Sequence, residues 1–422
     1  MKKKIAKNSM TWLFIAACWV AYSFSYIGRL NFSASMADMT ANGILLKSQA
    51  GTVSTCFFVC YGCGQLLSGW LGDKVTPRYL VFGGLFGASL CNFIFSFAPP
   101  LWAMTVLWGI NGVSQALLWA PIMRAVSDRI ASDRIQKACT IMATTMAGGT
   151  LLAYILSAVL ISRFGWTAAF ISGTVGPLGA AIFWIVTTTK IEKEADKNGI
   201  EEALPVSLED EGESVPHEDV PEKIGALLVV SGLLLLGAAS GVQGILKDCV
   251  STWVPTFITD IFKLDSSVSI LTGTLLPIVG FFGPYAANRI YMKTRDELSS
   301  LFILFGVAAF SLLMLVLFGQ KSLIVAILAF SVTYACSLGQ NMFIVGNIPM
   351  YFSKVGKVSF VSGFMEAASH MGAASLTFIT GYLVESLGWT FMMVVWLVLS
   401  VVAAVLTVFS RRKWNKFRRN LF

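Results

Sequence analysis

Apolar runs of about twenty residues recur along the chain between short polar turns. They cover 10–36, 48–72, 79–97, 101–123, 138–162 and 166–189, then, after a polar gap, 224–259, 267–288, 298–318, 322–352, 358–384 and 388–410. A helix needs roughly 20 apolar residues to cross a bilayer. The pattern therefore predicts twelve spanning helices, several of them long enough to tilt or to extend beyond the hydrocarbon. The alternating ten-residue strands that a membrane β-barrel would show are absent. The expected fold is an all-α polytopic membrane protein.

The gap at 190–223 holds twelve acids between Glu192 and Glu222, among Lys, Pro, Ser and Gly, and reads as a solvated linker. It separates an expected N-terminal six-helix bundle (1–189) from a C-terminal one (224–410), with a basic tail at 411–422. The halves echo each other. "RFGWTAAF" (163–170) matches "SLGWTFMM" (386–393), "GWLGDKVTPR" (69–78) is followed by "GFFGPYAANR" (280–289), and "SQALLWAPIM" (114–123) by "GQNMFIVGNIPM" (339–350). Repeats of this size suggest two bundles related by a pseudo-two-fold along the membrane normal, with substrate bound near mid-bilayer where they meet.

Composition agrees: 56% of residues are hydrophobic and 13% charged, against about 25% charged in soluble domains. The net charge of +8 is topological. Most of the Lys and Arg fall in segments on one side, whereas the opposite loops carry Lys47, Arg163, Lys263 and Lys321. This positive-inside bias places both termini in the cytoplasm and removes the case for nucleic acid. "MKKKIAK" ahead of a long apolar run reads as an uncleaved first span. The eight cysteines lie in or beside spans and imply no disulfide framework, and Cys60 and Cys63 read as packing residues. No nucleotide-binding glycine loop, metal-ligand cluster or nucleophile–base motif is present, so neither enzyme, metal nor cofactor is expected.

The chemistry lies in charges that fall inside spans. Arg29 is the one charge between Thr11 and Met36. Burying it costs about 2.5–3.5 kcal/mol, so it needs a partner or an aqueous cavity. Lys247 occupies the matching helix of the second half. One cation per half facing a shared cavity would bind an anion, the guanidinium fork suiting phosphate or carboxylate oxygens. Asp248 is an alternative partner for Lys247, but adjacent residues of a regular helix point about 100° apart and are expected not to pair. Tyr22 and Tyr26 precede Arg29 by seven and three residues, and Tyr61 and Gln65 stand four apart on the second span; they line a site or form an interfacial belt. Glu366 and His370 share a face of span 11, either for proton coupling and substrate contact or as a packing pair.

These stretches resemble known signatures. "GWLGDKVTPR" resembles the loop 2–3 motif of the major facilitator superfamily, with Gly69, Leu71, Asp73 and Arg78 matching. "YIGRLNF", "NGVSQALLWAPIMR" with Gln115, Trp119, Pro121 and Arg124, and "KDCVSTWVPTF" resemble helices 1, 4 and 7 of the organophosphate:phosphate antiporters. The resemblance implies a monomer in the cell membrane that exchanges inorganic phosphate for glycerol phosphate or sugar phosphates by rocking its halves. It implies that Arg29 and Lys247 grip the phosphoryl group, that Tyr22, Tyr26, Tyr61, Gln65, Trp119 and Thr145 line the site, and that Asp73, Arg78 and Arg124 gate its cytoplasmic side. Gln65 stands where the best-known members have Lys, Thr145 where some have His, and Lys247 where they have Arg. The alternatives are proton symport of a carboxylate through Glu366 and His370, disfavoured by Gly28 in place of the Asp typical of such carriers, and a transporter-like sugar-phosphate sensor with the acidic linker as its contact surface.

Overall fold

The structure, a computed structural model, describes residues 4–5, 7–131, 134, 138, 141–142, 144–198, 231–352 and 358–421. The chain forms two compact units, Met1–Ser207 with Leu264–Thr274, and Leu208–Lys263 with Leu275–Phe422.

In the first unit the opening span is two helices, α1 (Asn8–Ser25) and α2 (Ile27–Ala41), joined by a tight turn at Tyr26. The N–H of Tyr26 reaches Ser23 O (3.3 Å) and that of Arg29 reaches Tyr26 O (3.2 Å), three residues back rather than four. There follow α3 (Lys47–Lys74), α4 (Pro77–Phe95), α5 (Leu101–Ala116), α6 (Trp119–Arg129), α7 (Thr145–Phe164) and α8 (Trp166–Asn198). Proline at the first position of α4 is suited to that place, because its missing N–H would have had no intrahelical partner. The core is aromatic: Phe95 stacks on Phe170 (4.4 Å) beside Phe32 and Trp108, and Trp184 is buried against Phe14 (6.2 Å).

In the second unit α9 (Leu233–Gly244) passes through a π-helical turn, Ile245–Cys249, into α10 (Val250–Phe262). The segment α11 (Ser266–Gly273) belongs to the first unit, where it packs on α2 and α7 with Ile270 buried among Ala34, Tyr154 and Ala158. Small residues at 34 and 158 leave room for the isoleucine, so the range 224–410 expected for the second bundle is not one compact unit. Beyond it come α12 (Leu275–Gly280), α13 (Gly283–Thr294), α14 (Glu297–Phe318), α15 (Leu323–Asn341) with a second π turn at Met342–Asn347, and α16 (Val358–Leu421).

Ten stretches among the described residues are long and apolar enough to cross a membrane. The tenth, Phe360–Arg418, holds two spans divided at Gly388. The more polar α3, 28 residues long, is not among these stretches. The fold is thus the all-α polytopic one expected.

The repeated GWT sequence repeats a backbone. Gly165 has φ 75° and ψ 178°, and Gly388 has φ 78° and ψ 174°, a conformation that favours glycine. Each following tryptophan is tied to an aspartate at the end of its own unit's opening span: Trp166 N–H donates to Asp38 Oδ2 (3.0 Å), and Trp389 Nε1–H to Asp260 Oδ2 (2.8 Å).

Two expected boundaries move. Helix α8 runs to Asn198, so the linker expected at 190–223 begins as helix; there Glu192 binds Arg78 and Glu194 binds Lys7, each at 2.7 Å. Residues 199–223 lie outside the described residues. The basic tail expected at 411–422 continues α16 to Leu421, with Trp414 and Phe417 buried against Tyr351 and Phe352. Buried Glu297 is the polar centre of that end, accepting from Tyr351 OH (2.6 Å) and Tyr291 OH (3.2 Å) beside Arg418 (3.5 Å). Burial, together with this carboxylate, pushes the Tyr351 phenol up to about 12, so it remains a donor at any physiological pH.

Candidate functional site

Arg29 sits one turn past the break at Tyr26, half-buried, with its guanidinium over three aromatic faces. The Cζ atom is 4.6 Å from the Tyr61 ring centre, 5.5 Å from Phe57 and 5.6 Å from Tyr26, all within cation–π range. Phe57 and Tyr61 are themselves stacked (5.8 Å) on α3. Tyr22 meets Tyr26 edge-on (5.6 Å) and lies 4.7 Å from Trp119. The structure therefore brings Tyr26, Phe57 and Tyr61 around one cation, with Tyr22 against Tyr26 and Trp119 behind Tyr22.

The other expected lining residues are more peripheral. Thr145 is buried at the start of α7, its hydroxyl donating to Met142 O (2.5 Å) while its carbonyl accepts from Ser23 Oγ (3.3 Å). It braces α1 rather than offering its hydroxyl outward. Gln65 is half-buried one turn beyond Tyr61.

Four buried amides that motif reading did not single out as site residues hold the broken span in place. The Gly28 carbonyl accepts from Asn92 Nδ2 (3.0 Å) and Asn111 Nδ2 (2.9 Å). Asn31 Nδ2 donates to Asn92 Oδ1 (2.6 Å), and Gln115 Nε2 donates to Ser25 O (3.1 Å). Gly28 packs so closely that a Cβ there would lie 2.9 Å from Asn92 Nδ2 and 3.0 Å from Gly173 O. The available signal was amides inside apolar runs, which a bilayer accepts only when they are bonded. Asn92→Ala removes one of the two bonds that the Asn31 Nδ2 donates, leaving Ala169 O (3.3 Å), and one of the two that the Gly28 carbonyl accepts, leaving Asn111, and should cost about 1–3 kcal/mol. Thermal unfolding in detergent should show it.

In the second unit, α9 and α16 approach at backbone distance. A Cβ on Gly244 would collide with the Ser369 carbonyl, and one on Gly372 with Gly241. Ser240 Oγ donates to Met365 O (2.7 Å), Ser369 Oγ to Gln243 Oε1 (3.0 Å) and Gln243 Nε2 to Ser337 O (3.0 Å). This contact sets the π turn beside the middle of α16 and gathers four ionisable groups. Lys247 Nζ is 3.5 Å from Asp248 Oδ2, His370 Nδ1 is 3.5 Å from the same oxygen, and His370 Nε2 is 3.2 Å from Glu366 Oε1. Glu366 and His370 pair as their spacing predicts. The expectation that Asp248 would not pair with Lys247 is overturned. The π turn is wider than an α turn, so neighbouring side chains diverge less, and the long lysine arm closes the remaining distance.

At the start of α4 Arg78 contacts Glu192 Oε2 (2.7 Å), Thr189 Oγ1 (3.4 Å) and Tyr79 OH (2.8 Å). Arg124 Nε lies 3.9 Å from Asp128 Oδ2. The side chain of Asp73 lies outside the described residues.

Residues 18–351 match the model of the Major Facilitator Superfamily. Among curated relatives, the chain is 22% identical to the membrane sensor protein UhpC of Escherichia coli over 67% of its own length and 66% of that protein's. The chain thus spans just under two thirds of that sensor. It is 24% identical to a probable hexose phosphate transport protein of Chlamydia muridarum over 95% of this chain and 90% of the relative. Among solved structures, an inward-facing, occupied bacterial homologue of the human lysosomal transporter Spinster superposes with a TM-score of 0.77 at 13% identity, covering 97% of this chain and 99% of that one.

Proposed function

The chain belongs to the Major Facilitator Superfamily, and from that premise we propose that it is a secondary transporter of an organic anion. It exchanges a phosphorylated small metabolite, a glycerol phosphate or sugar phosphate, for inorganic phosphate by alternating access between two six-helix halves joined by the acidic linker. It does so in the cell membrane as a monomer with both termini cytoplasmic. The observation that carries this reading is Arg29, an intramembrane guanidinium set at a break in its helix, cradled by Tyr26, Phe57 and Tyr61 and anchored through its backbone by buried amides. Aromatic faces lower the cost of burying the cation while leaving its N–H edges for a planar, bidentate anion contact. Lys247 adds a point charge from the matching span. Tyr22, Trp119 and Gln65 shape the wall, and Asp73, Arg78 and Arg124 work the cytoplasmic gate. The relatives named as hexose phosphate transport proteins support the substrate class.

A second reading, proton-coupled uptake of a carboxylate, is favoured by one feature: His370 stands between two carboxylates, a place for a transferable proton. A sensor role is the third, prompted by the similarity to UhpC.

Proteoliposomes loaded with labelled phosphate separate the three. Efflux triggered by glycerol 3-phosphate or glucose 6-phosphate and unchanged by a proton ionophore is the expected result. Uptake of a sugar acid that follows an imposed pH gradient, with no ester-triggered efflux, would replace phosphate exchange by symport. Ester binding without any flux would make the protein a sensor.

A further inference from the structure

Lys247 already faces an anion of its own chain. Four of the second unit's ionisable groups form one line, Lys247, Asp248, His370, Glu366, linked at 3.5, 3.5 and 3.2 Å. The Lys247 and His370 side chains are more than nine-tenths buried, whereas Glu366, at the end of the line, is 30% exposed. Both ring nitrogens of His370 face carboxylate oxygens, and only the imidazolium donates from both. With His370 protonated the line is neutral, with two cations alternating with two anions. The other elements packed on this part of α16 add little charge. Neither α9 nor the π turn at 342–347 carries a charged side chain, α14 carries Glu297, engaged with Tyr291, Tyr351 and Arg418, and the neighbouring Cys249 thiol lies 3.6 Å from Thr380 Oγ1.

We propose that Asp248 is an internal counter-ion that occupies Lys247 until an incoming anion displaces it, and that His370 then holds the released carboxylate as an imidazolium, so that anion binding and uptake of one proton are linked at this cluster. The inference rests on the transport reading and adds to it a residue that sets affinity and coupling. An anionic oxygen that takes Lys247 Nζ leaves Asp248 and Glu366 sharing His370. A neutral imidazole donates to one of them and leaves the other buried without a counter-charge, which is costly. Where His370 is neutral before the anion arrives, one proton from solvent, entering past Glu366 and bound at the ring nitrogen that lacks one, restores the balance, and no other bond changes. The sign follows: anion affinity is highest at low pH and falls as His370 loses its proton. Asp248→Asn removes the competitor and one of the two carboxylates, so it strengthens anion binding at high pH and removes the linked proton.

The test uses the full chain in nanodiscs, with glycerol 3-phosphate, glucose 6-phosphate and inorganic phosphate as probes, by calorimetry at pH 6 and pH 8 in buffers of differing ionisation enthalpy. The titration of the probe itself is common to all variants and cancels between them. Asp248→Asn should bind about tenfold tighter than the unmodified protein at pH 8, equivalent to about one pKa unit of linkage, and should take up about one proton fewer. Equal or weaker binding with the parent pH profile would overturn the inference and leave Asp248 as a mere support for Lys247. The chain has two histidines, so His217→Gln leaves His370 alone in an imidazole NMR spectrum. Its imidazolium signal should grow on saturation with the probe at fixed pH, and an unchanged signal would overturn the inference even if the Asp248 variant failed to fold. Failure of every probe to bind the unmodified protein at either pH would defeat the transport reading itself, whereas binding without proton uptake defeats this inference alone.

Discussion

Arg29→Lys is expected to lower the proposed ester-triggered phosphate exchange by about 30-fold or more, although it keeps the charge. Losing one partner of a desolvated charge pair costs about 2–5 kcal/mol, and each 1.4 kcal/mol is about a factor of ten. Lysine fails in two ways at this position. Its compact, strongly hydrated ammonium cannot present parallel N–H groups to two oxygens of a phosphoryl group. It also cannot lie flat on the Tyr61 ring, which Arg29 approaches at 4.6 Å while touching Phe57 and Tyr26 at 5.5 and 5.6 Å. The melting temperature in detergent should barely change, because Arg29 is half-buried and the fold at this point depends on amide bonds to the Gly28 and Ser25 carbonyls rather than on the guanidinium. Initial rates of phosphate efflux, with unfolding followed in parallel, give the measurement. Exchange within threefold of the unmodified protein would remove Arg29 from the binding site.

The elements that depend on apolar runs were legible along the chain, and so was the GWT repeat, whose two glycines adopt nearly the same φ and ψ. What periodicity could not show was where a span stops being a regular helix. The turn at Tyr26 and the π turn at Ile245–Cys249 carry no proline at the break and leave the hydrophobic pattern intact. They follow from tertiary contacts: Asn92 and Asn111 drawing on Gly28, and the backbone approach of α9 to α16. The Asp248 contact was missed for the same reason, since the argument against it assumed an α-helical angle. The residues around Arg29 were easier. Tyr26 is near it in sequence, and Tyr61 is an aromatic hydroxyl inside a span. The amides were visible as letters but not as a network, because Asn31 and Asn92 lie sixty-one positions apart and meet only in the folded unit.

Gly244→Ala should do the most damage to the second unit for the smallest change, one methyl group. The added Cβ would overlap the Ser369 carbonyl, backbone that cannot swing aside like a side chain tip. Helices α9 and α16 would have to part, and the bonds that cross this contact, Ser240 to Met365 and Ser369 to Gln243, would stretch or break. Overpacking of this kind costs about 1–3 kcal/mol, and each buried polar group left without a partner adds about 1–3 kcal/mol, so a fall in melting temperature of many degrees is expected. Function should fall further than stability. The same approach sets Asp248 3.5 Å from His370, which stands 3.2 Å from Glu366 on its own helix, and a small separation would break the line between Asp248 and His370 even in protein that still folds. Gly363→Ala on the facing helix α16 is the matched control, since no atom lies within 4 Å of the added methyl. There the loss of glycine's backbone freedom should leave stability unchanged or raise it by up to about 1 kcal/mol. Small residues at a helix contact matter in a bilayer because association there depends on close packing rather than on hydrophobic exclusion. Equal melting temperatures for the two variants would mean that the Gly244 contact is not what holds the charged cluster together.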